Sequence, residues 1–407
     1  MTDSSSTDGE FFGWEAAATI VRELREERLK KTETERVPID RLHGRTLAEP
    51  IDAPASIPPH SYATMDGFAF DASEEYPLRV VDDVFPEDAP EDLESGQAVR
   101  IATGAPLPDS ANAVLKREDA TVEDGRLSGP DLEPGTYVYE RGSNVAEGER
   151  LFEAGERLSP KDALLLGDLG IDEVAVRRPF DVATLATGTE LHEGRRRDLD
   201  SPMLAGLVRS WGHDVTHEGT VPDEYDRVAD EIVALAAEYG VVVTTGGTSV
   251  GKKDHVVRAL QDLGEVLFHR VALRPGKPIA VARLDEHDAV VFAIPGKPVG
   301  AHAVTTLVAR PFFTGDASLP TVSATLAVEV GIGAAGFTYA IPVTLDDGGA
   351  MPLGHADSPL AVYEATYDSS VLSSSTRATR ADGFVLTERD VSAGETVAVV
   401  PYRVVEG

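Results

Sequence analysis

The sequence predicts a multidomain α/β protein whose centre, residues 180–316, is an open and mostly parallel sheet with helices on both faces. Within these residues, short runs of β-branched and small apolar residues alternate with segments in which apolar residues recur at helical spacing. Such alternation builds parallel sheets that are covered on both faces. The flanking residues carry short alternating runs separated by glycine, proline and aspartate, which is typical of small β-rich domains.

The pattern places strands and helices in turn along this central domain. Strands are predicted at residues 181–187, 214–220, 241–245, 265–272, 279–284 and 289–294. Helices are predicted at residues 201–211, 223–239, 254–263 and 298–309. Several strands end in Thr-Gly, Gly-Gly or Pro-Gly turns, and in an open α/β sheet that edge is where ligands bind. Turn residues also collect at strand ends by default, so an ordinary sheet edge is the alternative.

Further parts are expected around the central domain. An amphipathic helix over residues 11–31 has a charged face that is interpreted either as solvated or as a dimer contact. The C-terminal part is predicted to be a small barrel or sandwich. The expected parts are a disordered tail at 1–9, an extended N-terminal or linker domain at 10–55 with 140–179, a small β-rich domain at 56–139, and a C-terminal β-barrel-like domain at 317–407.

The charge of the chain limits its partners. It has 70 acidic and 37 basic residues, a formal net charge of −33. Such a field disfavours nucleic acid and anionic membrane surfaces. The acidic residues are spread along the chain and lysine is scarce relative to arginine, a composition that indicates a salt-rich cytoplasm and a halophilic source. We therefore expect a small-molecule substrate and neither a nucleic-acid nor a membrane partner.

The lack of cysteine and of long apolar runs excludes several classes of protein. Without cysteine, the chain has no disulfides, no thiolate zinc site and no cysteine nucleophile. No apolar run approaches the roughly 18 residues of a membrane-spanning helix. The acidic, polar start MTDSSSTDGE lacks the basic and apolar regions of a signal peptide. A cytoplasmic protein is expected.

The stretch VVVTTGGTSVGKKD, residues 241–254, has the form of an anion-binding turn. A buried strand runs into Gly246 and Gly247, and a helix is expected to begin at Asp254. Glycine lets backbone N–H groups face a ligand, and a helix N-terminus adds partial positive charge. The stretch matches neither the Walker A pattern nor G-x-G-x-x-G. An ordinary β–α turn is the alternative for this loop taken alone.

A cluster of cations follows on the segment RVALRPGKP. Arg270, Arg274 and Lys277 lie within eight residues of one another in a chain that is otherwise strongly acidic. A second Pro-Gly turn occurs in IPGKPV at residues 294–299, and TLATGTE at residues 184–190 is another strand that ends in Thr-Gly. A local cationic patch is what an anionic substrate needs to approach such a chain.

These segments resemble motifs of the molybdopterin molybdenumtransferases, the MoeA family that includes the E domain of gephyrin. TTGGTSVGKKD, LRPGKP and PGKPV carry the first part of the resemblance. PPHSYATMDGFAFD, VRIATGAPLP and the serine-rich C-terminal residues 373–396 extend it, in the family's order, over about residues 12 to 405. The resemblance implies that residues 180–316 form a molybdopterin-binding domain similar to the MoaB and Mog proteins.

The resemblance also implies an activity. Family members insert molybdate, or tungstate, into adenylylated molybdopterin and release AMP, with Mg²⁺ as cofactor, as homodimers whose sites are shared between subunits. Two alternatives stay open. One is an adenylyltransferase that activates the pterin with ATP, since the central domain resembles those enzymes. The other is a non-catalytic binder or carrier of the cofactor.

Site residues are carried over from the family's motifs. Catalytic roles are implied for Asp66, Asp223, Asp254, Arg270 and Arg274, and Asp254 with Asp66 is the implied metal pair. The implied substrate contacts are Thr103, Thr187, Gly188, Glu190, Asp200, Thr245, Gly246, Gly247, Ser249, Lys277, Pro295, Gly296, Ser374 and Ser375.

The chain departs from the family pattern at several of these motifs. Arg270 and Arg274 stand where the family usually has lysine, which keeps the charge but changes its geometry. Pro202 and Lys297 replace asparagines and Gly300 replaces a serine. These departures point either to a different choice between molybdate and tungstate or to a divergent paralogue.

Overall fold

The computed structural model describes residues 11–248 and 255–407, which divide into two compact units. The first unit contains Met1–Glu35 and Arg177–Gly407, and the second contains Arg36–Val176. The predicted tail at residues 1–9, and Ser249 and Asp254, lie outside the described residues. The finer domain boundaries expected at residues 55, 139, 179 and 316 stay predictions.

A six-stranded sheet forms the centre of the first unit. Its strands lie in the order Asp214–Val221, Asp181–Thr187, Val241–Thr245, Ala289–Ile294, Ala280–Leu284 and Glu265–His269. The first four are mutually parallel and the last two run antiparallel to their neighbours. The predicted α/β class is confirmed, and the parallel strands place their carboxyl ends along one edge.

Helices cover both faces of this sheet, as predicted. Val241 and Val243 point to one face and Val242 to the other, because side chains alternate along a strand. The first face packs against the helices Trp14–Lys31 and Asp200–Ser210 and against one continuous helical run. This run consists of the α-helix Pro298–Val304, the π-helical turn Thr305–Ala309 and the α-helix Arg310–Thr314. The second face packs against Tyr225–Glu238 and His255–Leu263. A single-turn helix, Thr189–His192, follows the strand Asp181–Thr187.

Among the element bounds that differ from the expected ones, two have identifiable reasons. The strand expected over residues 265–272 ends at His269, because Arg270 takes a left-handed φ of 70° that an extended strand cannot contain. The N-terminal helix begins at Trp14 and not at residue 11, because Phe12 forms a bridge with Val271. Both differences occur at the segment that carries the candidate cations.

The C-terminal residues form a barrel. Its strands are Val322–Leu326, Thr338–Asp346, Gly349–Pro352, Gly383–Thr387 and Thr396–Pro401. The pairing of Thr338–Asp346 with both Gly349–Pro352 and Gly383–Thr387 closes the sheet on itself. The short strand Leu273–Arg274 adds to Thr338–Asp346 in parallel. The barrel therefore contacts the segment between two strands of the central sheet.

The second unit is β-rich. Its main sheet has the order Ala113–Lys116, Gly67–Phe70, Gln97–Ile101, Leu78–Val84, Arg126–Ser128 and Thr121–Glu123. Smaller sheets pair Thr34–Pro38 and Thr46–Leu47 with Glu173–Arg177, Ile51–Asp52 with Arg150–Phe152, and Tyr62–Ala63 with Val138–Tyr139. The helix Asp162–Asp168 also belongs to this unit. In the part of the chain that the structure describes, no helix is long and apolar enough to cross a membrane.

Candidate functional site

A cavity of about 620 Å³ lies in the first unit at the carboxyl ends of the parallel strands. Thr187 and Thr245, the last residues of two adjacent strands, form its floor with the Pro295–Gly296 turn. The loop 274–278 forms one wall, and residues of the C-terminal part form another. The cavity is thus at the sheet edge where ligands bind in open α/β folds.

Glycine is required where the strand ends approach one another. Gly246 has φ 92°, and a Cβ on it would lie 2.6 Å from the carbonyl oxygen of Thr187. A Cβ on Gly296 would lie 3.2 Å from the Cα of Gly246. The hydroxyl of Thr187 donates to the carbonyl oxygen of Thr245 at 3.2 Å, which joins the two strand ends. At these glycines no side chain covers the backbone of the floor, so an anion can come close to it.

Cations from the loop 274–278 face this floor. Arg274 and Lys277 line the cavity, whereas Arg270 is not among the lining residues. The pKa of Lys277 is lowered, first by burial and then by the positive charges of Arg274 and Arg270. Like charges are thus held together here, which favours an anionic ligand.

Carboxylates share the cavity with these cations. Asp200 is buried, and burial, followed by the negative charge of Asp198, raises its pKa to about 6. The hydroxyl of Thr245 donates to Asp200 and Arg196 lies near it, and both oppose that rise. Oδ1 of Asp200 has no hydrogen-bond partner among the described residues. Asp223 also lines the cavity, and its backbone N–H donates to the hydroxyl of Thr189 at 3.1 Å.

The cavity brings together many of the residues that the sequence predicted for the site. The predicted residues that line it are Thr187, Gly188, Glu190, Asp200, Asp223, Thr245, Gly246, Gly247, Arg274, Lys277, Pro295 and Gly296. Their proximity is a structural finding, and their roles in binding and catalysis stay predictions.

Other predicted residues lie elsewhere. Ser374 and Ser375 do not line the cavity, and Ser375 accepts a hydrogen bond from the N–H of Ala378. Asp66 and Thr103 belong to the second unit. There the N–H and the hydroxyl of Thr103 both donate to Oδ1 of Asp66, at 2.7 and 2.8 Å, and these hydrogen bonds lower the pKa of Asp66.

Sequence reasoning missed several residues of the cavity. Arg196, Arg197 and Leu199 come from the segment GRRRDLD, whose arginine run in an acidic chain was a usable signal. Ser369, Ser370 and Ser373 line one wall of the cavity, whereas the resemblance implies Ser374 and Ser375 as the serine contacts. Asp368 caps the short helix Ser369–Leu372 by accepting from the N–H groups of Ser370 and Val371.

The departures at residues 297 and 300 lie in the same wall. Nζ of Lys297 donates to the carbonyl oxygen of Ser370 at 3.2 Å, and the N–H of Val299 donates to that of Ser373 at 3.0 Å. A Cβ on Gly300 would lie 3.4 Å from the backbone nitrogen of Gly276. Lys297 thus connects the α/β domain to the serine segment.

The described residues contain no cluster of three or more side chains able to hold a metal ion. Of the predicted metal pair, Asp254 lies outside the described residues and Asp66 belongs to the second unit. The carboxylates that line the cavity include Glu190, Asp200 and Asp223.

Comparison with known proteins decides the family. Residues 14–170 match the MoeA N-terminal region (domain I and II), and residues 183–315 match a probable molybdopterin binding domain. A molybdopterin molybdenumtransferase from Synechococcus elongatus is 32% identical over 302 residues, which are 68% of this chain and 74% of the relative. The chain belongs to the molybdopterin molybdenumtransferase family. The family assignment predicted from the motifs is thereby confirmed.

Further relatives agree with this assignment. A molybdopterin molybdenumtransferase from Haemophilus influenzae is 32% identical over 283 residues, which are 66% of this chain and 70% of that protein. The solved structure of a molybdopterin biosynthesis MoeA protein from Pyrococcus horikoshii is 28% identical and covers 97% of this chain and 99% of its own, with a TM-score of 0.70. The predicted enzyme class, a transferase of molybdenum cofactor biosynthesis, is confirmed with the family.

Proposed function

We propose that this molybdenumtransferase inserts molybdate into adenylylated molybdopterin in the cavity at the sheet edge and releases AMP. The observation that carries the proposal is that Arg274 and Lys277 line the same cavity as the backbone turn at Gly246 and Gly247. A chain of net charge −33 repels anions unless it concentrates cations locally. This cavity provides such a concentration at a backbone that can accept phosphate.

The basic residues hold the phosphoryl groups. The planar guanidinium of Arg274 can donate two parallel hydrogen bonds to one phosphate, and the ammonium of Lys277 acts as a point charge. Arg270 lies outside the cavity lining and adds positive potential behind them. Together they stabilise the charge that develops on the phosphate as the bond to AMP is cleaved.

The proposed reaction consumes one water and releases one, so it has no net change in water. Cleaving the phosphoanhydride consumes one water and leaves molybdopterin phosphate and AMP. Condensing molybdate with the two pterin thiols forms two Mo–S bonds, and one molybdate oxygen leaves as water with the two thiol protons.

The cavity carboxylates fit a magnesium ion. Mg²⁺ in phosphoryl-transfer sites binds one or two carboxylates, waters and substrate phosphate. Oδ1 of Asp200 is buried without a hydrogen-bond partner among the described residues, and Asp223 lines the same cavity. These two, with Asp254 as the resemblance implies, are the carboxylates proposed to hold it. When bound, the ion would polarise the phosphoryl bond.

The family resemblance supports a further proposal, a cytoplasmic homodimer with shared sites. The hydrogen-bonded pair Asp66 and Thr103 of one subunit would then complete the cavity of the other. Mixing two inactive variants, Asp66→Ala and Lys277→Met, tests this, because a hybrid dimer regains one intact site. Recovery of about a quarter of the activity is expected, and no recovery after subunit exchange contradicts shared sites.

AMP release tests the proposed reaction. Protein in high salt is mixed with adenylylated molybdopterin and Mg²⁺, and molybdate or tungstate is added last. We expect AMP release that depends on the oxyanion and is lost in Asp254→Ala, and the faster oxyanion identifies the metal. ATP consumption would indicate the adenylyltransferase instead. Tight binding without AMP release would indicate a carrier, with Pro202, Lys297 and Gly300 as the first positions to revert.

A further inference from the structure

Three cations of the candidate site rest on two phenylalanine rings from outside the α/β domain. The guanidinium carbon of Arg274 lies 4.1 Å from the ring centroid of Phe337. The guanidinium carbon of Arg270 and Nζ of Lys277 lie 5.7 and 5.2 Å from the ring centroid of Phe11. The two rings contact each other, with centroids 4.9 Å apart. Phe11 and Phe337 thus form one aromatic shelf under the cations.

Backbone hydrogen bonds attach this aromatic shelf to the cationic segment. The N–H of Phe12 donates to the carbonyl oxygen of Arg270 at 3.1 Å, and the N–H of Ala272 donates to that of Phe12 at 2.7 Å. On the other side, the N–H of Thr338 donates to the carbonyl oxygen of Ala272 at 2.9 Å, and Leu273–Arg274 pairs with this strand. The chain neighbours of both rings are therefore fixed relative to the cations.

The electrostatics of the segment favours rings over carboxylates as partners. Three like charges repel one another, and a carboxylate that offset the repulsion would also compete with an anionic ligand. Among the described residues, none of Arg270, Arg274 and Lys277 forms an ion pair, although the chain has 70 acidic residues. An aromatic face attracts a cation by about 0.5–2 kcal/mol and leaves its charge available.

The backbone at Arg270 is strained. Its φ of 70° is in the left-handed region, which costs a residue with a Cβ about 1–2 kcal/mol. This conformation ends the strand at His269 and turns the chain toward the aromatic shelf. Strain of this kind persists where the surrounding structure fixes it and is concentrated at functional sites.

We propose that Phe337 and Phe11 are positioning residues that hold Arg274, Lys277 and Arg270 for the phosphate groups of the substrate. The inference rests on the proposed function in assigning phosphate to this segment. It also accounts for arginine at residue 274, because a planar guanidinium can stack flat on the Phe337 ring, whereas an ammonium such as that of Lys277 is attracted to a ring only as a point charge. Arg274→Lys therefore keeps the charge and loses the stacking.

Binding of inorganic pyrophosphate, measured by calorimetry, tests the proposal without turnover. We expect Phe337→Leu and Arg274→Lys each to weaken binding about tenfold, and Phe337→Tyr to stay within about twofold of wild type. The double variant Phe337→Leu, Arg274→Lys should bind about as well as either single variant, because one interaction is lost in all three. Phe312→Leu, which also removes a buried ring but one without a cation, should bind like wild type.

The position of Arg274 is read from the NMR signal of its Nε–H, which the Phe337 ring shifts by its ring current. We expect this shift in wild type and Phe337→Tyr and its loss in Phe337→Leu. Three results would overturn the proposal. The Nε–H signal could be unchanged in Phe337→Leu, the affinity losses of the two single variants could multiply in the double variant, or the wild-type protein could fail to bind pyrophosphate. Pyrophosphate binding without any AMP release would instead count against the proposed function and leave this inference in place.

Discussion

The hydroxyl of Thr245 donates a hydrogen bond to Oδ2 of Asp200 at 3.4 Å, where both side chains are buried at the floor of the cavity. This contact joins the end of a central strand to the first residue of the helix Asp200–Ser210. It does not compensate for burial, because the pKa of Asp200 still rises to about 6. Because burial disfavours the charged form of Asp200, this side chain should affect both the free energy of unfolding and the chemistry of the cavity.

Asp200→Asn should stabilise the protein at neutral pH. The folded-state pKa of about 6 exceeds the ordinary value of 3.8, so the stabilising contribution of this group is complete below pH 3.8 and lost as the pH rises through 6. We expect Asp200→Asn to exceed wild type by about 1–3 kcal/mol near pH 8 and to match it near pH 4, by urea unfolding. Asp181→Asn, at an exposed site on the same sheet, should change stability by less than about 0.5 kcal/mol. A less stable Asp200→Asn near pH 8 would contradict this account.

Gly246→Ala should damage both the fold and the site. Its φ of 92° is unfavourable for alanine, and the new Cβ would lie 2.6 Å from the carbonyl oxygen of Thr187. We expect a loss of at least about 2 kcal/mol in unfolding free energy and a weaker affinity for pyrophosphate. Gly206→Ala is the matched control. Gly206 lies in the helix Asp200–Ser210, and a Cβ added there would have no neighbour within 4 Å. The Gly206→Ala variant should gain about 0.5–1 kcal/mol in unfolding free energy. Equal effects of the two substitutions on stability would contradict the steric explanation.

Lys297→Met should loosen the serine wall of the cavity. The change removes the hydrogen bond from Nζ to the carbonyl oxygen of Ser370. Because one such bond is worth about 1 kcal/mol, amide hydrogen exchange at residues 369–373 should become about fivefold faster. Lys30→Met, on the exposed face of the N-terminal helix, should leave this exchange unchanged. Unaltered exchange in Lys297→Met would show that the backbone contact of Val299 holds the wall alone.

Replacing Arg196 and Arg197 together with glutamine should weaken substrate capture. Both side chains line the cavity, and among the described residues neither forms an ion pair. At low salt we expect the KM for adenylylated molybdopterin to rise about three- to tenfold with kcat little changed, and the effect to disappear at about 1 M salt. Arg195→Gln, whose side chain pairs with Glu193 outside the cavity lining, is the control. A fall in kcat would place these arginines at the reacting atoms.

The sequence predicted the strands of the central sheet well where continuous apolar runs end in glycine or proline. The bounds expected for Asp181–Thr187, Val241–Thr245 and Ala289–Ile294 are those observed. In these runs the local pattern and the burial of the strand on both faces agree. Their ends determine the sheet edge, so the floor of the cavity was predictable as well.

The walls of the cavity were harder to predict because distant contacts form them. The serine wall depends on Lys297, which lies 73 residues before Ser370, and the motif alone pointed to Ser374 and Ser375. The aromatic shelf joins Phe11 to Phe337, which no periodicity connects. Such contacts are set by how the barrel and the N-terminal segment fold onto the sheet.

The rate of molybdate-dependent AMP release in a cavity double variant shows whether Arg274 and Lys277 stabilise the phosphate groups during cleavage. Arg274→Met with Lys277→Met removes two charges from the cavity, and Arg22→Met with Lys30→Met removes two from an exposed helix face. We predict that the first variant loses at least about a hundredfold in AMP release and that the second keeps the wild-type rate. Equal rates in both variants would show that the phosphates are cleaved elsewhere in the protein.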